Sequence, residues 1–283
     1  MKLLDGKKCS DEIKQALKIM LKDEPPVSLT VIQVGEDPAS SVYVRNKEKA
    51  CEQVGIKSNI IKLDENIDDG DLINLIEDLN KDTSVNGILV QLPLPKHINE
   101  SLVLQSIDPV KDVDGFHIIN MGKLALGENG ITPCTSLGII KLLASNNIDI
   151  AGKHCVVVGR SNIVGKPTAL QLLNHDGTVT ICHSKTKNLK SICKTADILV
   201  CAIGKPKFFN RDYIGDDAIV IDVGIHRQED GSLCGDVDFD DVKDLVTYIT
   251  PVPGGIGPMT VACLLQNCVI AAQIQELDSE GEY

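Results

Sequence analysis

Short apolar runs alternate with amphipathic segments along the first half of the chain. Apolar runs bounded by turn residues suit buried strands, whereas apolar positions at helical spacing predict helices. Gly55 supplies a helix C-terminal signal at the end of one such segment. The predicted elements are strand 29–34, helix 40–54, strand 59–63, helix 71–80 and strand 87–90.

The second half repeats this alternation after a break. Between residues 108 and 135 the periodicity fades and Gly, Asp and Pro become more frequent, so this segment is predicted to cross between domains. Strands that alternate with helices favour βαβ units and parallel sheets, and the predicted fold class is therefore α/β. The elements predicted beyond the break are helix 136–144, strand 153–158, helix 165–174, strands 178–182, 198–203 and 218–223, and a last helix over 259–277.

Composition and charge narrow the function classes. With 283 residues, the chain is long enough for two α/β domains or one large domain. Aromatic residues make up only 3% of the chain, so Ile, Leu, Val and Ala must build the core. The net charge of -12, without a basic stripe, argues against nucleic-acid binding. Neither a signal peptide nor an apolar run of membrane-spanning length is expected, so no membrane partner is predicted.

The chain contains ten cysteines, with no Cys-x-x-Cys pair and no His cluster of zinc spacing, so no metal site is predicted. Cysteines in or beside apolar runs, such as Cys155, Cys182 and Cys201, favour buried reduced thiols of a cytosolic protein over disulfides. Cys134 is the best-placed candidate for a catalytic cysteine, but the sequence offers it no partner base.

A glycine-containing turn between strand 153–158 and helix 165–174 predicts a dinucleotide site. Gly159 and Gly165 would let the backbone approach a pyrophosphate, and the helix N-terminus would supply N–H groups and a positive dipole. Ser161 stands where the usual motif has its second glycine, and the spacing to Gly165 is one residue longer than usual. An ordinary strand–helix turn is the alternative.

The end of the next strand predicts NADP rather than NAD. An NAD site carries an Asp or Glu there that binds the ribose hydroxyls. This chain has no carboxylate at that strand end, and Ser184, Lys185 and, from the preceding turn, Arg160 offer groups for a 2′-phosphate. A solvated basic loop is the alternative. Gly204 and Ile225 follow two later strand ends and are candidates to flank the nicotinamide.

Polar candidates for a reactive centre lie in the first half and in one late loop. Tyr43 and Lys47 are four residues apart, hence on one helix face, with an ordinary surface lysine as the alternative. Gln91 ends a buried strand, where its amide needs a partner such as a ligand. Asp112 and Asp114 are candidate carboxylates of the reactive centre, and capping of a turn is the alternative. The Gly- and Pro-rich loop 250–260 forms either a pocket wall or a turn that leads into the last helix.

Taken in order, these segments resemble the bifunctional methylenetetrahydrofolate dehydrogenase/cyclohydrolase family. The resemblance runs from Leu4 to the last helix and covers nearly the whole chain. Ile256 is a minor departure, because Val is common at that position. The motifs that carry the resemblance are residues 43–47, 91–95, 111–116, 133–135, 159–167 and 251–260.

The resemblance implies two α/β domains with a cleft between them. Residues 1–118, completed by the C-terminal helix over 259–283, would form the folate-binding catalytic domain. Residues 119–258 would form a Rossmann-type domain that binds NADP. The resemblance also implies a homodimer, and a cytoplasmic location is expected.

The resemblance implies roles for individual residues as well. Lys47 would be the central catalytic group, Tyr43 would stack on the substrate, Gln91 would hydrogen-bond near Lys47, and Asp114 would hold the pterin. The implied substrate pocket also contains Pro251, Val252, Pro253, Gly254 and Gly255. The implied NADP contacts are Gly159, Arg160, Ser161, Ser184 and Ile225.

The implied reactions act on tetrahydrofolate-bound one-carbon units. A hydride leaves 5,10-methylenetetrahydrofolate for NADP⁺, a step that needs orientation more than acid or base. Water then opens the methenyl product to 10-formyltetrahydrofolate, and a lysine removed from water can accept the proton near neutral pH. Two alternatives stay open. One is a non-catalytic folate or dinucleotide sensor, which the presence of Lys47 disfavours; the other is a dehydrogenase that lacks cyclohydrolase activity or uses NAD.

Overall fold

The computed structural model describes residues 1–280, which form two compact units. Residues 12–134 and 261–280 form the three-stranded unit, named after its sheet. Residues 1–11 and 135–260 form the six-stranded unit. Residues 281–283, the end of the predicted helix over 259–283, lie outside the described residues. The predicted domain bounds stay a prediction.

Strands and helices alternate along most of the chain. The strands are β1 Lys2–Leu3, β2 Ser28–Val34, β3 Lys57–Leu63, β4 Gly87–Val90, β5 His154–Val158, β6 Thr178–Cys182, β7 Ile198–Cys201, β8 Ile219–Asp222, β9 His226–Arg227, β10 Leu233–Cys234 and β11 Tyr248–Ile249. The helices are α1 Gly6–Met20, α2 Pro38–Val54, α3 Asp69–Lys81, α4 Glu100–Ser106, α5 Ile118–Leu126, α6 Cys134–Ser145, α7 Gly165–Asn174, α8 Leu189–Cys193, α9 Phe239–Val242 and α10 Ile256–Glu280.

The three-stranded unit is built on a parallel sheet of order β3-β2-β4. Its apolar core joins Ile32 of β2 and Ile88 of β4 to Ile76 of α3 and Val103 of α4. The β4 strand is buried along its whole length, as its uninterrupted apolar run predicts. The central strand β2 and its neighbour β4 therefore carry their carboxyl ends, and the residues that follow them, to one edge of the sheet.

Helix α2 begins and ends on local signals that the sequence contains. The Asp37 side chain accepts a hydrogen bond from the Ser40 backbone N–H, which satisfies one of the free donors of the first turn. Gly55 ends the helix in the left-handed conformation, with a φ of 90°, and donates its N–H to the Cys51 carbonyl. The predicted helix and its predicted end at Gly55 are both confirmed.

The six-stranded unit contains a parallel sheet of order β1-β11-β8-β7-β5-β6. Strands β7 and β8 are buried along their length, and their side chains pack with Val156, Phe209 and Ile249. The pairing of β1 with β11 was not predicted, because both strands contain only two residues and lie at opposite ends of the chain. Segments of two residues become strands only through the strand with which they pair.

The predicted irregular crossing over residues 108–135 is wrong in one part, because α5 lies within it. The helix contains nine residues and has an interior glycine, Gly122, which weakens its helical signal. Its ends are fixed instead by caps. The His117 side chain accepts from the Ile119 N–H at 3.1 Å, and Gly127 ends the helix with a φ of 72°.

The last helix is longer and more apolar than predicted. Over Ile256–Leu277 its length and composition would suffice to cross a membrane, which corrects the prediction that no apolar run reaches that length. Of its most apolar 18-residue window, 56% is buried within the fold. A helix that lies in a protein core meets the same criteria, so this feature is weak evidence for a membrane span.

Candidate active site

Helix α2 places Tyr43 and Lys47 one turn apart on the same face. The Tyr43 side chain is 42% exposed, so its ring is available for a flat ligand. Lys47 is only half-buried, and its amine contacts protein atoms instead of extending fully into solvent. Lys49, on the same helix, is exposed as an ordinary surface lysine would be, and Lys47 differs from it.

Gln91 follows β4 and holds the Lys47 amine. Its Oε1 accepts a hydrogen bond from Lys47 Nζ at 3.0 Å, while its Nε2 donates to the Leu92 carbonyl at 2.7 Å. Because the amide nitrogen of Gln91 donates to the Leu92 carbonyl, the amide oxygen is the atom that faces Lys47. The backbone is fixed too, since the Gln91 N–H donates to the Ile32 carbonyl of β2. Protein atoms thus satisfy the amide that was predicted to need a partner.

A second glutamine, Gln33 on β2, was not singled out by the sequence analysis. Its Nε2 donates to Ser41 Oγ at 3.0 Å and to the Gly35 carbonyl at 3.2 Å. Its Oε1 is buried and has no hydrogen-bond partner among the described residues. The signal was available in the sequence, because Gln33 is a polar residue near the end of an apolar strand.

Asp112 and Asp114, near the start of the predicted crossing segment, have different surroundings. Asp112 is buried and accepts hydrogen bonds from the Gly115 and His117 N–H groups and from Asn120 Nδ2. Burial raises its pKa to about 6, against the effect of these bonds. Asp112 thus caps the local turn.

The carboxylate of Asp114 interacts with the charge of Lys47. Burial raises the pKa of the Asp114 carboxyl above its usual value, whereas the Lys47 charge and a hydrogen bond from Cys134 lower it. Asp112 thus caps a turn, whereas Asp114 interacts with Lys47 of α2. Within the three-stranded unit, Lys47 thus interacts with Gln91 through a hydrogen bond and with Asp114 through its charge.

Cys134 does not have the surroundings of a nucleophile. It is buried, and burial together with the negative charge of Asp114 raises the pKa of its thiol well above the usual value. Its Sγ donates to the Val113 carbonyl at 3.3 Å. Burial and the raised pKa argue against a catalytic role for Cys134, whose thiol instead contacts the backbone beside Asp114.

The sequence analysis also missed Asn267, in the apolar helix α10. Its Nδ2 donates to the Val113 carbonyl at 2.8 Å and to the Thr132 carbonyl at 2.9 Å, so one amide ties the helix to the segments before Asp114 and Cys134. A lone Asn within the run 261–272 was the available signal, since a polar side chain in a buried helix face needs partners.

In the six-stranded unit, the turn after β5 brings backbone segments very close together. Gly159 has a φ of 140°, and a Cβ on it would collide with the Ala202 carbonyl. A Cβ on Gly165 would collide with the Gly159 carbonyl, so this turn is too tight for side chains at either glycine. Ser161 Oγ accepts from the Val164 and Gly165 N–H groups at 3.1 and 3.3 Å. The closed turn leads directly into α7, and the Lys166 N–H also donates to the Ser161 carbonyl, at 3.0 Å.

The strand ends predicted to hold the adenosine ribose are neighbours. β6 pairs with β5 in register Val158 with Cys182, and the Gly159 N–H donates to the Cys182 carbonyl at 2.9 Å. Arg160 and Ser184, on the two segments that follow, are both exposed. With hydroxyl and cationic groups and without a carboxylate at this edge, the residues fit a nucleotide that carries a 2′-phosphate.

Other predicted residues lie at strand ends and in one loop of the same unit. Ile225, after β8, is 41% exposed. The loop of Pro251, Val252, Pro253, Gly254 and Gly255 precedes α10, and the Val252–Pro253 peptide bond is cis. This loop is held to the N-terminal segment by the Lys7 N–H, which donates to the Gly254 carbonyl at 2.9 Å. Among residues 1–280, no cluster of His, Cys, Asp and Glu has an arrangement that would hold a metal ion.

Two family profiles match the chain. The profile described as the tetrahydrofolate dehydrogenase/cyclohydrolase catalytic domain matches residues 4–114, and the profile of the NAD(P)-binding domain of the same family matches residues 133–276. The first range contains Tyr43, Lys47, Gln91 and Asp114, and the second contains the turn after β5.

Individual proteins are similar over nearly their full lengths. The bifunctional protein FolD of Agathobacter rectalis is 59% identical over 95% of this chain and 98% of its own. The crystal structure of the bifunctional FolD methylenetetrahydrofolate dehydrogenase/cyclohydrolase from Campylobacter jejuni is 51% identical, with a TM-score of 0.95 over 97% of this chain and 99% of that chain. A FolD structure from Trypanosoma brucei, complexed with NADP cofactor and inhibitor, is 35% identical, with a TM-score of 0.91 over 96% of this chain and 97% of that chain.

These similarities confirm the predicted family, the α/β fold class with two domains, the bifunctional dehydrogenase and cyclohydrolase, and a domain of the NAD(P)-binding type. They also support folate binding, which the catalytic-domain profile describes. This chain belongs to the tetrahydrofolate dehydrogenase/cyclohydrolase family.

Proposed function

We propose that Lys47 is the centre at which this chain oxidises 5,10-methylenetetrahydrofolate with NADP⁺ and then hydrolyses 5,10-methenyltetrahydrofolate to 10-formyltetrahydrofolate. The observation that carries the proposal is the 3.0 Å hydrogen bond from Lys47 Nζ to Gln91 Oε1. Asp114 interacts electrostatically with the same lysine, and Tyr43 lies one turn before it. A carboxylate can accept hydrogen bonds from a pterin, an aromatic ring can stack on it, and an amine held by an amide can accept a proton.

In the oxidation, the residues bind and orient the substrate. NADP⁺, when bound, supplies the hydride acceptor. Tyr43 offers an exposed ring on which the flat folate stacks, and aromatic stacking leaves the one-carbon bridge accessible. Asp114 accepts hydrogen bonds from the pterin amino group and ring N–H, which fixes the direction of the bridge. Orientation of this kind is what a hydride transfer needs, since nitrogen lone pairs already stabilise the cation that remains.

In the hydrolysis, Lys47 accepts a proton. Water adds to the methenyl carbon, and Lys47 in its unprotonated form accepts one water proton. The carbon–N5 bond then breaks, and the remaining hydroxyl proton passes to N5, which leaves the formyl group on N10. Gln91 orients the base, because its oxygen accepts one Lys47 N–H and its amide nitrogen donates to the Leu92 carbonyl.

The cofactor and pocket residues are proposals of the same kind. Support for an NADP site comes from the tight turn at Gly159 and from the exposed positions of Arg160 and Ser184. The family resemblance supports the remaining assignments. The proposed cofactor contacts are Gly159, Arg160, Ser161, Ser184 and Ile225, and the proposed additional substrate contacts are Pro251, Val252, Pro253, Gly254 and Gly255.

Replacement of Arg160 and Ser184 by Ala is expected to weaken the use of NADP far more than the use of NAD. A hydrogen bond to a charged group contributes about 1.5–3 kcal/mol, so the NADP preference is expected to fall roughly tenfold to hundredfold. The measurement is the ratio of kcat/KM for the two cofactors at fixed ionic strength. In the unchanged protein this ratio is expected to shrink as salt is added, because exposed phosphate contacts are screened.

Arg211→Ala is the matched control for this double variant. Arg211 is an exposed arginine of the same unit, but it pairs with Asp241 at 2.9 Å instead of standing at the β5 and β6 ends. Its replacement is expected to leave the cofactor ratio unchanged. A wild-type ratio near one, or an equal loss in the control, would contradict the assignment of a 2′-phosphate site to Arg160 and Ser184.

The proposed function as a whole is tested by a spectrophotometric assay of both reactions. Oxidation of methylenetetrahydrofolate is followed with NADP⁺ and with NAD⁺, and hydrolysis of methenyltetrahydrofolate is followed without nucleotide. Both reactions are expected, the first with a preference for NADP⁺. Oxidation without hydrolysis would indicate a monofunctional dehydrogenase. Ligand binding without either reaction would indicate a sensor.

Three further assignments complete the proposal. The folate-binding part is residues 1–118 with 259–283, and the NADP-binding part is residues 119–258; profile matches to 4–114 and 133–276 support this division. The family resemblance supports a homodimer. A cytoplasmic location is supported by the ten cysteines, all of which are buried thiols.

A further inference from the structure

Two buried carboxylates lie beneath the carboxyl ends of the central strands β7 and β8. Asp222 is the last residue of β8, and Asp236 follows β10. The exposed fractions of these residues are 4% and 0%. Aspartates are rarely buried so completely unless every oxygen is satisfied, so their partners indicate what they do.

Asp236 accepts hydrogen bonds from the loop that follows β7. Its Oδ2 accepts from the Ile203 and Gly204 N–H groups at 2.7 and 3.0 Å. Its Oδ1 accepts from the Lys205 N–H and from His226 Nε2, both at 2.8 Å. Three successive backbone donors and one side chain therefore converge on a single carboxylate, which holds the loop in one conformation.

Asp222 links this arrangement to the loop that follows β8. Its Oδ1 accepts from the N–H groups of Gly224 and Asp236, each at 2.9 Å, and its Oδ2 accepts from the Val237 N–H at 2.9 Å. One carboxylate thus fixes the start of its own loop and the backbone that carries the other carboxylate. The two loops are joined through buried, charge-assisted hydrogen bonds.

The position of these loops suggests why the chain maintains two buried charges there. Ligands of open parallel sheets bind at the carboxyl ends of the strands, and β7 lies next to β5, whose end carries the Gly159 turn. The loop after β7 presents the exposed Gly204, and the loop after β8 presents the exposed Ile225. Burial of two carboxylates is unfavourable by itself, and the directional hydrogen bonds that offset it are the bonds that fix the shape of the two loops.

We propose that Asp236 is a positioning residue for the dehydrogenase reaction: it holds the loops after β7 and β8 in the conformation that receives the nicotinamide end of NADP. This inference rests on the proposed function. Hydrolysis of methenyltetrahydrofolate consumes no nucleotide, so loss of the network changes cofactor binding and oxidation and leaves hydrolysis intact. A residue needed only for folding would reduce both activities together.

The variant that tests this is Asp236→Asn, which keeps the size of the side chain. Each carboxylate oxygen accepts two hydrogen bonds, so the new amide NH₂ must face two donors in either orientation. We expect the dissociation constant of NADP⁺, measured by calorimetry without folate, to rise about tenfold or more, as loss of one charge-assisted bond implies. KM for NADP⁺ is expected to rise with it, while nucleotide-free hydrolysis stays within about twofold of wild type on the same arithmetic.

Asp241→Asn is the matched control. Asp241 also accepts a backbone N–H, from Arg211 at 2.8 Å, but it is solvent-accessible and belongs to α9. It is expected to change neither NADP⁺ binding nor hydrolysis. Wild-type NADP⁺ affinity in Asp236→Asn, or an equal weakening in Asp241→Asn, would overturn the inference. Absence of NADP⁺ binding in the unchanged protein would instead overturn the proposed function.

A second pair of variants decides the case in which Asp236→Asn does not fold. His226→Ala removes one of the four donors to Asp236 and leaves the backbone bonds in place, whereas His226→Gln retains a donor. NADP⁺ affinity is expected to fall in His226→Ala and to recover in His226→Gln, with hydrolysis unchanged in both. Unchanged NADP⁺ affinity in His226→Ala would reject the positioning role.

Discussion

Replacement of Lys47 by Met is expected to abolish hydrolysis of methenyltetrahydrofolate and to leave folate and NADP binding measurable. Methionine keeps most of the length of the side chain but has no group that accepts a proton. Since a positioned general base contributes about 10²–10⁴-fold to a rate, the loss of hydrolysis is expected to be at least roughly hundredfold. The measurement is the decay of methenyltetrahydrofolate absorbance without nucleotide.

Lys49→Met is the matched control for this experiment. Lys49 lies on the same helix and is exposed, so its replacement makes the same chemical change away from Gln91 and Asp114. Hydrolysis is expected to continue at the wild-type rate. If Lys47→Met hydrolyses its substrate at a rate near that of wild type, the proton-accepting role of Lys47 is wrong, and a water-mediated route through other groups must be sought.

Replacement of Asp114 by Ala is expected to impair oxidation and hydrolysis together. Two charge-assisted hydrogen bonds to the pterin are lost, and with about 1.5–3 kcal/mol for each, kcat/KM for both reactions is expected to fall at least roughly hundredfold. Asp114→Asn retains one acceptor oxygen and is expected to lie between Ala and wild type. The loss of only one activity, with folate affinity unchanged, would count against a common anchor.

The pH dependence of folate binding provides an independent measure of the same role. Burial raises the pKa of Asp114, although the Lys47 charge lowers it in part. The carboxylate that binds the pterin is present above this pKa and is lost as the pH falls through it. Folate affinity is therefore expected to decline on the acid side at a higher pH than an ordinary Asp would cause. In Asp114→Asn, which does not titrate, this decline is expected to disappear.

The sequence predicted the elements that depend on local signals. Helix α2 and its end at Gly55 follow from apolar spacing and from a residue that adopts positive φ without strain. The turn at Gly159 and the absence of a carboxylate after β6 could likewise be read from neighbouring residues, and both bear on the cofactor. These features need no distant partner, because backbone preference and side-chain periodicity determine them within a few residues.

The tertiary structure alone decided which distant residues meet. Leu3 becomes a strand because Ile249 pairs with it, and Asn267 satisfies carbonyls before Asp114 because its helix packs there. The network around Asp236 depends on donors from three separate segments, none of which has a local signal for it. Burial forces each of these polar groups to find a partner, but the chain's path through space determines which partner is within reach.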